Sequence, residues 1–175
     1  MRLILTGLVV ALAPALTVAL PAAALAQAQA PAPTRLSPAD QAAAFAAAGF
    51  KRVGRQWRGC DDPGAAGYAP GAIETTLDID GDTRPDAVIT EGSAYCFGQD
   101  GQGYALVSKQ ADGRWKPITQ GSGVLTILPR RAGATSGWPD IEIGGPGFCF
   151  PVQRWNGREY VQNRFQYQGK TCRPR

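Results

Sequence analysis

Two hydrophobic periodicities divide the body of this chain. From Ser37 to Ala48 apolar residues recur at helical spacing, and Ala42, Phe45 and Ala46 form a modest apolar face. Ser37 suits an N-cap, and Pro38 suits the first helical position, where a missing N–H costs nothing. Asp40 complements the positive end of the helix, and Gly49 stops it. One short helix is therefore predicted to lie against a sheet, with Phe50 anchoring it just past its end. From Phe50 onward the pattern becomes short runs of β formers punctuated by Gly, Pro, Asp and Asn. Strands are predicted near 51–58, 72–79, 86–90, 103–109, 114–118, 124–128, 140–143, 150–155 and 158–163. Asp112-Gly113 and Asn156-Gly157 are predicted to close tight hairpins with positive φ at both central residues. No helical pattern separates these strands, which points to antiparallel rather than parallel pairing. The expected fold is α+β and mostly antiparallel β: one N-terminal helix, then a sheet-rich domain.

Within the sheet-rich part a motif recurs. Arg84-Pro85-Asp86-Ala87-Val88-Ile89, Cys96-Phe97 and Asp112-Gly113-Arg114-Trp115 are echoed by Trp138-Pro139-Asp140-Ile141-Glu142-Ile143, Cys149-Phe150 and Asn156-Gly157-Arg158-Glu159. The prolines are offset by 54 residues, and proline to cysteine spans 11 residues in one copy and 10 in the other. The reading is two matching sheet units in a propeller-like or meander arrangement.

Upstream of the helix the pattern differs again. Arg2 precedes an uncharged apolar stretch from Leu3 to Ala26, the charged start and apolar middle of a secretory signal. Ala24-Leu25-Ala26 offers small residues where signal peptidase needs them, so cleavage is expected after Ala26, with Ala28 as the next choice. Pro14 and Pro21 interrupt the stretch and weigh against an uncleaved anchor. No cysteine lies near the cut, which weighs against a lipid anchor. Residues 1–26 thus read as a signal peptide, 27–35 as a flexible Ala/Pro/Gln spacer and 36–175 as a single β-rich domain. The mature chain is expected in the periplasm or secreted, with no membrane span after cleavage.

Export changes the meaning of the cysteines. Four of them, Cys60, Cys96, Cys149 and Cys172, enter an oxidising compartment, and an even count there implies disulfides. No C-x-x-C is present, which argues against a zinc knuckle or a thioredoxin-type site. Three pairings are possible. The matched places of Cys96 and Cys149 in the two units favour a bond between them, leaving Cys60 to Cys172. The formal net charge is +4, and the basic residues are scattered rather than gathered in the stripe that phosphate binding requires, so no nucleic-acid partner is expected.

The sharpest candidate chemistry lies in Asp78-Ile79-Asp80-Gly81-Asp82-Thr83-Arg84-Pro85-Asp86. Carboxylates fall at loop positions 1, 3, 5 and 9, with the Arg84 carbonyl available at position 7. Calcium takes six to eight oxygens at about 2.3–2.6 Å from a tightly curled loop, and such alternation aims successive oxygens inward. Like charges this close repel unless a cation sits among them. An EF-hand does not fit, because Thr83 stands where that hand needs glycine, Ile89 where it needs Glu, and the flanks read as strands. From Leu77 through Asp86-Ala87-Val88-Ile89 the segment resembles the calcium loop of FG-GAP and VCBS repeats. That resemblance implies a structural calcium held by Asp78, Asp80, Asp82, the Arg84 carbonyl and Asp86. It covers one short loop, whereas family members usually close several such units into a propeller. The GWPDIEIGGPGFCFPV stretch resembles small exported bacterial proteins. In the second unit Ala132, Ala134 and Ser136 replace three of the aspartates and only Asp140 survives, so that copy is expected to be metal-free.

The chain has no histidine, which removes Ser-His-Asp and Cys-His catalysis and histidine-ligated zinc. It has no Walker loop and no dinucleotide fingerprint. Asp140 and Glu142 alternate along one strand and could serve as a glycosidase pair, although a polar outer strand face yields the same pattern. Trp57, Trp115, Trp138 and Trp155 could form a sugar-stacking platform or simply pack. The expected function is a non-catalytic, calcium-stabilised binding or structural module of the cell envelope, its partner a protein or glycan there. The rivals are a periplasmic inhibitor of envelope-attacking hydrolases and a carboxylate-dependent hydrolase acting on sugars.

Overall fold

The computed structural model describes residues 35–133 and 137–174. The signal peptide at 1–26, residues 27–34 of the spacer, and Ala134 and Ser136 of the second unit lie outside the described residues. Helix α1 (Pro38–Ala47) begins as its sequence demands: the Asp40 N–H donates to Ser37 Oγ at 3.1 Å. Gly49, with φ +83°, turns the chain out of it. Ala44 and Phe45 are its buried residues. Phe45 stacks on Trp57 at 4.8 Å and meets Phe50 edge-on at 5.6 Å, so Phe50 anchors the helix end.

The strands are β1 (Lys51–Val53), β2 (Gln56–Arg58), β3 (Ala69–Leu77), β4 (Asp86–Gly92), β5 (Gln102–Lys109), β6 (Trp115–Ser122), β7 (Val124–Ile127), β8 (Ile141–Gly144), β9 (Phe150–Trp155), β10 (Tyr160–Tyr167) and β11 (Lys170–Thr171). They form two antiparallel sheets, ordered β1-β2-β3-β4-β5-β6 and β11-β10-β9-β8-β7. The run expected as one strand at 51–58 is a hairpin that turns at Gly54, whose φ is +60°. A four-residue helix α2 (Ala94–Phe97), capped by Ser93, follows β4. Such a short element carries too little periodicity to show in the sequence. Among the described residues no helix is long and apolar enough to cross a membrane.

Packing follows from the alternation of side chains along the central strands. Ala87, Ile89, Ala105 and Val107 face α1 and share a core with Leu36, Phe45 and Trp115. Val88 and Leu106 point the other way and pack with Ile79 against Leu125, Ile127, Trp138 and Tyr160. Burial on both faces explains why β4 and β5 carry apolar residues at consecutive positions, Ala87-Val88-Ile89 and Tyr104-Ala105-Leu106-Val107. Each fully buried Ile, Leu or Val contributes about 1.5–3 kcal/mol. The chain passes from one sheet to the other at Gly123, between β6 and β7. Its φ of +113° suits glycine, and a Cβ there would lie 2.5 Å from the Gly144 carbonyl oxygen.

Both sheets contain the same four-strand meander, β3 to β6 and β7 to β10, with the 78–85 and 128–140 loops at corresponding places. The hairpins also correspond, but their turns differ from expectation. Gly113 (φ +81°) and Gly157 (φ +102°) take positive φ, while Asp112 and Asn156 do not. In the first turn Gly113 N–H donates to the Gln110 carbonyl, and Arg114 N–H donates to Asp112 Oδ1. Asn156 Oδ1 likewise accepts from the Arg158 and Glu159 N–H groups. The side-chain oxygens take up the loop donors, so a second left-handed residue is not needed.

The cysteine pairing also departs from expectation. The bonds are Cys60–Cys96 and Cys149–Cys172, not Cys96–Cys149 and Cys60–Cys172. A bridge needs Cα atoms within about 7 Å, and in each sheet the chain just beyond two strands that flank a shared middle strand supplies that separation. Cys60 follows β2 and Cys96 follows β4, on either side of β3, with Cα atoms 6.4 Å apart. Phe150 and Thr171 both register against Gln166, which sets Cys149 and Cys172 one residue beyond, at 5.7 Å. Matching places in two units of a repeat belong to different sheets, and sheet register, not repeat position, decides the partners.

Candidate metal centre

The loop between β3 and β4 folds around its own aspartates. Asp78 Oδ1 accepts the N–H groups of Gly81 at 2.7 Å and Asp82 at 3.0 Å, and its Oδ2 accepts that of Thr83 at 2.9 Å. Asp80 Oδ1 accepts the Asp82 N–H at 3.1 Å. This curl is tight enough to force positive φ at Gly81 (+81°) and at Thr83 (+70°). Thr83 is β-branched, and the left-handed region is costly for such a residue. From the first position of β4, Asp86 Oδ2 accepts the Ile79 N–H at 2.7 Å, which holds the loop against the sheet. The outcome is that ligand-capable oxygens of Asp78, Asp80 and Asp86 lie within 4.8 Å of one another, a group that could hold a metal ion.

Asp82 is turned aside. Its carboxylate pairs with the Arg84 guanidinium and accepts the Arg84 N–H at 2.8 Å. Arg84 Nε donates in turn to the Lys109 carbonyl. Arg84 thus brings its guanidinium to the rim of the loop, where it neutralises one of the four carboxylates.

Asp86 is the unusual member. It is fully buried, and its Oδ1 has no hydrogen-bond partner. Ser108, directly opposite in the β4–β5 register, is equally buried, and its Oγ is also without a partner. The hydroxyl faces the carboxylate closely enough to favour its charged form, but in a geometry that closes no hydrogen bond. A buried, unpaired carboxylate oxygen costs on the order of 1–3 kcal/mol, more when charged. Burial therefore pushes the Asp86 carboxyl up to about 6, with repulsion from Asp80 adding to it and the Ser108 and Ile79 donors opposing. Asp80 is raised too, first by burial and then by Asp82 and Asp78. Burial and mutual repulsion thus raise both carboxyls, and the donor set, carboxylate oxygens, is that of a hard cation.

The loop also carries contacts that no local pattern announces. Arg130, from the segment after β7, donates to the carbonyls of Ile79 (2.6 Å) and Gly137, and Gly137 N–H reaches the Asp80 carbonyl at 2.5 Å. The connection between β7 and β8 is thereby tied to the acidic loop, and only tertiary packing brings these residues together.

Asp140 and Glu142 end up in a different setting. Asp140 is 7% exposed and receives a bidentate pair from Arg154, both contacts at 2.9 Å, and a third bond from Arg164 at 2.7 Å. These hydrogen bonds, Arg154 first, overcome burial and hold the carboxyl down to about 2. Glu142 accepts from Gln166 Nε2 at 2.7 Å. The tryptophans are dispersed: Trp57 lies under α1 and Trp115 Nε1 donates to Asp40, while Trp138 and Trp155 cluster with Tyr160. They do not form one platform.

No family model matches this chain, no curated protein matches it, and no solved structure matches it.

Proposed function

We propose that this chain is an exported, non-catalytic module whose fold is stabilised by a calcium ion in the β3–β4 loop, and that it serves a binding or structural role in the cell envelope. The observation that carries the metal is Asp86 Oδ1, fully buried and without a partner, beside the converged oxygens of Asp78 and Asp80. A cation there would compensate a charge that the protein otherwise leaves exposed to repulsion. The spacing that resembles FG-GAP and VCBS loops supports calcium over smaller ions, since magnesium needs tighter octahedral geometry. Two disulfides, and the absence among the described residues of a helix able to cross a membrane, agree with export. A carboxylate hydrolase is disfavoured, because a nucleophile or general acid needs a free carboxyl and Asp140 is committed to two arginines. The test is a calorimetric titration of the mature protein with calcium, alongside melting in calcium and in chelator. A heat of binding with a raised melting temperature is expected. No heat and identical melting curves would refute the calcium reading.

A further inference from the structure

Beyond the C-terminal end of α1, a cleft of about 390 Å³ opens on the face of β4, β5 and β6 that α1 covers only in part. Its size falls within the range of small-molecule sites. Phe50 and Phe97 supply aromatic walls, and the Cys60–Cys96 disulfide closes one side. Both rings lie directly on glycines: a Cβ on Gly103 would meet the Phe97 ring at 2.4 Å, and one on Gly71 would meet the Phe50 ring at 2.4 Å.

The charged side chain lining this cleft is Glu91, with Gln120 and Ser122 as neutral polar neighbours. It is 2% exposed, yet it lines the cleft. Its two oxygens share the Gly59 N–H at 3.1 and 3.2 Å, and Oε1 also accepts the Tyr68 hydroxyl at 2.8 Å. Arg58 is the nearby cation, but its Nε donates to the Tyr68 oxygen, and its guanidinium lies over the Tyr68 ring at 4.6 Å. Among the described residues no lysine or arginine forms an ion pair with Glu91. Buried carboxylates are normally paired with a cation, and this one is held by neutral donors with acceptor capacity left on Oε2.

We propose that this cleft binds a small organic cation, an ammonium group bearing an apolar or aromatic substituent. Glu91 supplies the counter-charge, and the Phe50 and Phe97 rings that line the cleft supply walls for the apolar substituent. Anions are repelled by the same carboxylate. The site is independent of calcium: Asp86 and Glu91 stand near opposite ends of β4 and alternate to opposite faces of the sheet. The proposal gives the binding role above a ligand class and rests on that role.

The experiment titrates the mature protein with benzyltrimethylammonium, benzyl alcohol and benzoate, once in calcium and once in chelator, following the Gly59 and Gly103 amide resonances. Saturable shifts are expected with the ammonium, binding weaker by roughly tenfold or more with the alcohol, and none with benzoate. Glu91→Gln should lose the preference for the cation. Because that change also disturbs the Gly59 hydrogen bonds, Gln120→Lys provides a second variant. Gln120 is an exposed residue that lines the cleft, and a cation there should weaken ammonium binding roughly tenfold without touching Glu91. Equal affinity for ammonium and alcohol, unchanged affinity in Gln120→Lys, or no saturable shift would overturn the proposal. Lost ammonium binding beside an intact calcium response would overturn this site alone, and the converse would overturn only the calcium reading.

Discussion

Replacing Asp86 by asparagine separates a metal ligand from an ordinary buried carboxylate. The substitution keeps the side-chain shape and leaves an oxygen to accept the Ile79 N–H, the 2.7 Å contact that holds the loop. The change replaces a charge that burial disfavours with a neutral amide of the same shape. Removing the negative charge also relieves repulsion from Asp80. In chelator at pH 7, Asp86→Asn should therefore be more stable than wild type, by about 1–3 kcal/mol from removing a buried charge whose carboxyl is raised from 3.8 to about 6. In calcium the order should reverse. An ion that binds only the folded state stabilises by about 2.7 kcal/mol at a hundredfold excess over its dissociation constant, which for a domain of this size raises the melting temperature by about 10 °C. Asp86→Asn should lose most of that increment. The assay is thermal melting of both proteins at pH 7 in chelator and in millimolar calcium. If Asp86→Asn is less stable than wild type in chelator and retains the full calcium response, Asp86 is a structural acceptor and the site reasoning fails.

Three further outcomes are expected. Asp140 is held at about 2, below its ordinary 3.8, so its ion pairs add stability above pH 3.8 that is lost as the pH falls toward 2. Urea midpoints at pH 5 and pH 2 should show about 2 kcal/mol of this loss in wild type and little of it in Asp140→Asn. Peptide mapping of unreduced protein should recover Cys60–Cys96 and Cys149–Cys172 fragments, and removing the second bond, which closes a separation of 23 residues, should cost about 3 kcal/mol in chemical denaturation. Gly71→Ala should cost about 1–3 kcal/mol by the same measurement, because its new methyl group would overlap the Phe50 ring.

What the sequence by itself determined is what adjacent residues decide. Ser37 and Pro38 start the helix and Gly49 ends it through capping within one turn. Gly113 and Gly157 bend their hairpins because only glycine takes that φ cheaply. Asp78, Asp80 and Asp86 converge because the loop between them is short and its N–H groups need acceptors. Tertiary structure decided whatever depends on register between segments far apart in the chain. Each cysteine found its partner at the same sheet, beyond the ends of strands that flank a shared middle strand, whereas repeat position had placed the partners across units. Asp140 met Arg154 and Arg164 only once β8, β9 and β10 were aligned. Glu91 became a buried carboxylate held by neutral donors only when Gly59 and Tyr68 were folded over β4. A carboxylate carries the same charge on any strand. Its use is set by which donors the chain places around it: Asp78 finds them within its own loop, whereas those of Asp140 and Glu91 come from distant segments.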